Sequence, residues 1–331
     1  MTNRERFQAV MSFQPVDRLP IIEWAGWWDK TLTRWYGEGL PAEMTDAFEI
    51  RRWFGLDELQ QNWFAAAQPD TPPPPPDRRQ WILNGDGYDL VRPYLFPDPV
   101  PFDREQATAW AAAQQAGDLV VWITLNGFFW FPRGMFGIEP HLFAFHDHPE
   151  VMHQMNEDLL AYNLRILDQY CEYLTPDFMT IAEDMSYNHG PMISERLFDE
   201  FLAPYYRRLV PALVERGIVP LVDTDGDISE LVPWMRRVGV RGFLPLERMA
   251  GVDVNQLRRD YPDLVMIGAF DKTVMHLGET RMRQEFERLL PVMRSGGFIP
   301  ACDHQTPPAV SLEDYRLYLR LLQEYAEKAA R

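Results

Sequence analysis

Two short stretches of this chain bring together the residue types that move protons or hold metals. The first is Val222-Asp223-Thr224-Asp225-Gly226, where two carboxyl groups flank a hydroxyl. The second is GGFIPACDHQTPP, Gly296 to Pro308, which sets the Cys302 thiol, the Asp303 carboxyl and the His304 imidazole side by side. Cys302 with Asp223, Asp225 or Glu247 would give zinc the mixed sulfur and oxygen donors it accepts, and the substrate would take an open position. His304, Glu183 or Asp225 could then exchange a proton with the reacting group. Each residue also has a plainer explanation. Asp225-Gly226 suits a tight turn, Cys302 could be a small buried hydrophobe, and an acid after a strand is often a helix cap.

Aromatic residues form a second pattern, in Trp24-Ala25-Gly26-Trp27-Trp28 and in Phe128-Phe129-Trp130-Phe131 with Arg133 close behind. Trp24, Trp27, Asn126, Phe129, Arg133 and Tyr187 are the candidate substrate-binding residues: rings to stack on a flat ligand, an amide to orient it and an arginine to pair with a carboxylate. Ordinary core packing is the competing explanation for the rings. His141, His146, His148 and His153 straddle a helix start, which favours surface or capping roles. A phosphate-binding glycine loop, a dinucleotide fingerprint and a serine-hydrolase elbow are all missing from the sequence.

Apolar runs alternating with amphipathic ones must position these groups. Strands are expected at Leu19 to Trp24, weakly at Trp81 to Asn84, and at Asp118 to Asn126, Phe178 to Ala182, Ile218 to Val222, Gly242 to Leu246, Leu264 to Ala269 and Phe298 to Ala301. Helices are expected over Pro149 to Leu174, from Ser194 to Gly217 with a kink or split caused by Pro204 and Pro211, and from Ser311 onward. Continuously apolar strands separated by helices specify a parallel sheet, and about eight of them close a (β/α)8 barrel, an α/β fold. In that fold the strand ends carry the chemistry. There they supply Asn126 and the acids Glu23, Glu183, Asp184, Asp223, Asp225, Glu247, Asp271 and Asp303, a crowd of carboxyl groups that needs a cation or protons. One barrel domain over 1–331 is expected, with an irregular N-terminal region and a proline-rich loop at 65–100. That loop includes DTPPPPPD and a hairpin at Asn84-Gly85-Asp86-Gly87.

The 331 residues carry 32 Lys+Arg against 49 Asp+Glu, a net charge of −17. Such a surface disfavours nucleic acid and anionic membranes as partners. With two cysteines and no apolar block at the N-terminus, a cytoplasmic location is expected, with a small-molecule substrate and a homodimer left open.

The chain resembles the uroporphyrinogen decarboxylase superfamily. The resemblance rests on Asn3 to Phe7 followed by Pro15 to Pro20, on Gly190-Pro191 with Ser194 to Tyr206, on Gly268 to Lys272, and on Thr306-Pro307-Pro308. It implies a (β/α)8 barrel. It also implies one of two activities, and the sequence departs from both. The decarboxylases carry arginines after the first strand that grip the carboxylates of a porphyrinogen; here that loop reads WAGWWDK, Trp24 to Lys30. The zinc-dependent methyltransferases carry His-X-Cys-Gly after the fifth strand and a later cysteine; here Asp223-Thr224-Asp225-Gly226 and Cys302 stand in those places. Oxygen donors in place of sulfur and nitrogen would suit an oxygen substrate. The favoured expectation is therefore a zinc-dependent methyltransferase that moves a methyl group from a small aromatic O-methyl compound to a corrinoid protein or other acceptor. Cofactor-free decarboxylation of a porphyrinogen and a non-catalytic ligand-binding barrel are the alternatives.

Overall fold

Seven short segments pair side by side, all parallel: β1 (Leu59–Phe64), β2 (Val120–Asn126), β3 (Phe178–Ala182), β4 (Val219–Asp223), β5 (Gly242–Leu244), β6 (Val265–Phe270) and β7 (Phe298–Cys302). They follow sequence order across one sheet. The computed structural model describes residues 1–67, 71–74, 80–82 and 86–330. Parallel neighbours require crossovers, which helices supply here, and the curled sheet with its outer helices is a (β/α)8 barrel.

The sequence placed six of these strands. It missed β1, whose LQQNWF is too polar to read as a buried run. Leu19 to Trp24, expected as the first strand, joins no ladder. It fills the eighth position through other bonds: the Asp57 amide donates to the Ile21 carbonyl at 2.8 Å, and Glu23 Oε2 accepts from the Cys302 amide at 3.1 Å. The Trp24 indole donates to the Cys302 carbonyl at 2.9 Å. The expected weak strand at Trp81 to Asn84 is not found at Trp81 and Ile82, and its other two residues lie outside those described. Of the expected hairpin, Asn84 and Gly85 are also outside; Asp86 and Gly87 instead open the helix Asp86–Val91.

The helix Asn3–Met11 closes the end of the barrel opposite the strand C-termini. A capping box between Thr2 and Glu5 starts it. Phe7 then stacks on Phe178 at 5.2 Å, and Phe178 on Trp122 at 5.5 Å, so aromatic rings fill the barrel's lower end. Asp177 anchors this helix, accepting from Arg4 Nε at 2.7 Å, Gln8 Nε2 at 2.9 Å, Gln114 Nε2 at 2.8 Å and the Val121 amide at 3.1 Å.

Pro149–Cys171 forms the expected long helix. The proline-bearing segment is split as expected, into Glu195–Phe201 and Ala203–Glu215, with the break at Leu202 and Pro204 in the first turn of the second helix. Among the described residues no helix is long and apolar enough to cross a membrane.

Side chains on neighbouring parallel strands share a face when their residues are in register. Thr124, Thr180 and Leu221 are linked in that way, and Thr180 lines the central cavity, so their face points into the barrel. Gln61 Nε2 donates to Thr124 Oγ1 at 2.7 Å, and Thr124 and Thr180 share a hydrogen bond of 2.7 Å, which satisfies this interior polar row. Ala182 and Asp223 are in register on the same face. Phe270 and Cys302 are in register on the opposite one, because Phe270 packs on Phe286 and Tyr318 of the outer helices.

Candidate active site

A cavity of about 480 Å³ opens at the strand C-termini. Trp24, Trp63, Trp122, Trp130 and Phe48 give it aromatic walls; Arg51, Asp184, Asp223, Asp225 and His304 give it charge. Its size suits a compact ring-bearing molecule.

Asp223 ends β4 facing inward, and no hydrogen bond or ion pair to its carboxyl group is found among the described residues. Burial, reinforced by Asp225 and Asp184, raises its pKa to about 8, so it holds a proton at neutral pH. Asp225 is raised to about 6, first by burial; Glu247 and Asp184 add to the rise, while His304 and Lys272 oppose it. His304 Nε2 lies 3.6 Å from Asp225 Oδ2, and its ring meets Trp24 edge-on at 6.1 Å. The cluster therefore presents a neutral acid beside a second carboxyl group and an imidazole.

Three other members of the acidic crowd, Glu247, Asp303 and Asp184, are neutralised within the protein. Lys272 Nζ stands 3.3 Å from both Glu247 Oε1 and Asp303 Oδ1. Arg133 clamps Asp184, donating to its carbonyl at 2.6 Å and to Oδ2 at 2.7 Å, with the guanidinium 4.5 Å over the Trp130 ring. Asp184 has φ +43°, a left-handed conformation that aspartate tolerates better than most residues.

The loop after β4 is fixed by its neighbour. Thr224 Oγ1 accepts from the Met185 amide at 3.0 Å, the Gly226 amide donates to Glu247 Oε2 at 3.1 Å, and the Asp227 amide donates to the Tyr187 carbonyl at 2.9 Å. Gly226 has φ +84°, and a Cβ there would come within 2.6 Å of the Tyr187 backbone. Gly226→Ala should accordingly lose about 1–3 kcal/mol of stability in urea denaturation. A variant as stable as wild type would show that the loop repacks freely.

The structure divides the sequence candidates. Asp223, Asp225, His304, Trp24 and Arg133 meet at or beside the cavity. Glu183 follows the inward Ala182 and points the other way: it is fully buried and accepts from the amides of Phe128 at 2.9 Å, Phe129 at 2.8 Å and Trp130 at 3.1 Å, and from the Tyr206 hydroxyl. Burial raises its pKa to about 7 against those hydrogen bonds. Asn126 is spent on the Ala66 amide at 3.0 Å. Phe129 packs on His141 and Phe145, and Trp27 on Trp35, Phe54 and Tyr315. Tyr187 contributes its backbone to the Gly226 turn, while its ring is 48% exposed and outside the cavity lining.

The proposed zinc ligands do not assemble. Cys302 faces the outer helices, and burial, with Glu23 and Asp303 nearby, drives its thiol pKa up. Glu247 is held by Lys272 and Gly226. Among the described residues, no three His, Cys, Asp or Glu side chains are placed to hold a metal ion. The histidine tract is also corrected at one position: His141 is buried, with its pKa lowered to about 3, first by burial.

Arg51 and Trp63 were missed. Trp63 sits on the unrecognised β1, and Arg51 on the short helix Ala47–Trp53, which has no catalytic motif to flag it.

Comparison with known proteins bears on the fold and the family. A comparison with curated protein sequences found no match. Among solved structures, a methyltransferase from Methanosarcina mazei superposes with a TM-score of 0.63 at 13% identity, covering 98% of this chain and 99% of that one. A Listeria monocytogenes chain assigned as a vitamin-B12-independent methionine synthase gives a TM-score of 0.45 at 11% identity, covering 95% and 98%. The sequence model for uroporphyrinogen decarboxylase (URO-D) matches residues 134–325, more than half of the chain and the part that carries β3 to β7 with Asp223, Asp225 and His304. By that match the protein belongs to the uroporphyrinogen decarboxylase family.

Proposed function

We propose that the chain is a methyltransferase acting on a small aromatic O-methyl compound, with Asp223 as proton donor to the departing oxygen. One observation carries this reading: an inward-facing aspartic acid with no hydrogen-bond or ion-pair partner for its carboxyl group among the described residues, its pKa pushed up to about 8 by burial, inside an aromatic-walled cavity. In the reaction the methyl carbon–oxygen bond breaks and the methyl group passes to an external nucleophile. The bonding electrons stay on the aryl oxygen, which takes the Asp223 proton. A phenolic oxygen, with a pKa of about 10, is a fitting acceptor for a proton held at about 8. The ring would lie against Trp24, Trp63, Trp122 and Trp130, and Asp225 with His304 would return the proton to Asp223 between turnovers.

The methyl acceptor is a thiol or a corrinoid carried by a partner protein. Because the zinc donors do not converge, no step is assigned to a metal. A porphyrinogen is less well suited: its many carboxylates would enter a cavity where, among the described residues, Arg133 and Lys272 are already paired with acids and Asp225 adds negative charge. The similarity of fold to the Methanosarcina methyltransferase is consistent with the transferase reading.

The test is incubation of the purified protein with methoxyarenes and a thiol or cob(I)alamin acceptor, with chromatography for the demethylated phenol. Turnover should survive dialysis against a chelator. It should also decline as pH rises through about 8, because the active form of Asp223 is the protonated one. Absence of any phenol product, or a rate that climbs through pH 8, would remove the proposal.

A further inference from the structure

Among the described residues, Arg51 is a cavity cation that no carboxylate holds. Its side chain lines the cavity, yet the residue is 6% exposed. One contact is made by Nη2, to the Trp24 carbonyl at 3.3 Å, while Nε is buried with no partner. The Phe48 ring lies 4.8 Å from the guanidinium carbon. Glu23 attracts it electrostatically but forms no ion pair with it among the described residues. Arg133 and Lys272, by contrast, are committed to Asp184, Glu247 and Asp303. A guanidinium keeps its charge when buried, and its planar fork of donors matches the paired oxygens of a carboxylate or a phosphate.

Position gives the charge a use. The sheet order sets β4, and so Asp223, across the barrel from the segment Leu19 to Trp24 that Arg51 adjoins. A molecule spanning the cavity would meet a fixed cation at one end and a neutral acid at the other. The carboxyl group of Asp225 beside Asp223 disfavours a doubly charged phosphate, and a single carboxylate placed at the Arg51 end is the arrangement of lowest repulsion.

We infer that Arg51 anchors a carboxylate on the substrate, so that the ligands of this cavity are aromatic monocarboxylates, oriented with the reacting substituent toward Asp223. The orientation rests on the proposed role of Asp223; the anion preference does not.

Binding tests it directly, without turnover. Benzoate and 4-methoxybenzoate are titrated against benzamide and 4-methoxybenzamide, followed by tryptophan fluorescence and calorimetry. In the wild-type protein each acid should bind about 10- to 100-fold more tightly than its amide. Arg51→Gln should shrink that ratio to below about threefold, and Arg51→Lys should restore part of it. Asp223→Asn should retain it. Thermal melts of each variant establish that it is folded, and the wild-type ratio stands as a test if a variant is not. Equal binding of acid and amide, no binding of either acid to wild type, or full discrimination by a folded Arg51→Gln protein would overturn the inference. Tight carboxylate binding without methyl transfer would instead sustain the anchor and reject the proposed reaction.

Discussion

Replacing Asp223 with asparagine is expected to lower kcat by about 100- to 10,000-fold and, at pH 8 and above, to make the protein more stable. The first effect follows because an amide cannot supply the proton that the departing oxygen needs. The second follows from linkage. The carboxyl group has an ordinary pKa of 3.8 in the unfolded chain and about 8 in the fold. Between those values the folded protein retains a proton that the unfolded chain has released, so stability falls as pH rises, by at most about 1.4 kcal/mol per pH unit. Glu23 and Glu183, each raised from 4.5 to about 7, act in the same direction over a narrower window. The wild-type melting temperature should therefore decline from mildly acid to mildly alkaline pH, and Asp223→Asn should flatten the part of that decline nearest pH 8. A wild-type profile that is level across this range would mean that Asp223 is an ordinary ionised acid, and the catalytic proposal would go with it.

Glu183→Ala is expected to cost about 3–5 kcal/mol in chemical denaturation, the largest stability loss of any substitution considered. The truncation strands the amides of Phe128, Phe129 and Trp130 and the Tyr206 hydroxyl in a buried space, and it leaves a void. Glutamine is no remedy. Both carboxylate oxygens accept hydrogen bonds, so the amide NH₂ of glutamine would meet a backbone donor whichever way it turned. Gly127 is fitted to the same group, since a Cβ there would lie 2.2 Å from Glu183 Cδ. A Glu183→Ala protein within about 1 kcal/mol of wild type would contradict this packing. In a direct catalytic role Glu183 would instead lose activity with little loss of stability.

What the sequence conveyed and what it withheld have one physical origin. Strands such as β2 and β3 are buried on both faces, so they read clearly as apolar runs but carry no alternation. Without alternation, the sequence could place Glu183 and Cys302 at strand ends but not say which way each pointed. Register decided it, turning Asp223 inward and these two outward. Polar β1 failed in the opposite way: Gln61 belongs to an interior hydrogen-bonded row and Asn62 bonds the Tyr170 hydroxyl at 2.7 Å, so its burial did not register as hydrophobicity. The crowd of strand-end acids was legible, as was its need for compensation. That Lys272, Arg133 and a proton on Asp223 would supply it depended on contacts between distant residues.

The eighth position of the barrel has a consequence for motion. Neighbours from β1 to β7 are joined by ladders of backbone amides and carbonyls, whereas the hydrogen bonds found among the described residues between Leu19 to Trp24 and β7 are one to a carboxylate oxygen and one from an indole, with backbone pairing resuming only at the Trp27–Thr306 bridge. Structure opens first where backbone pairing is thinnest. The barrel thus has a seam, and Trp24, with Arg51 beside it, stands on one lip. Breathing at the seam would widen the cavity and expose the Cys302 amide in the same event, so deuterium uptake at that amide reports on access to the site, and a bound ligand should slow it.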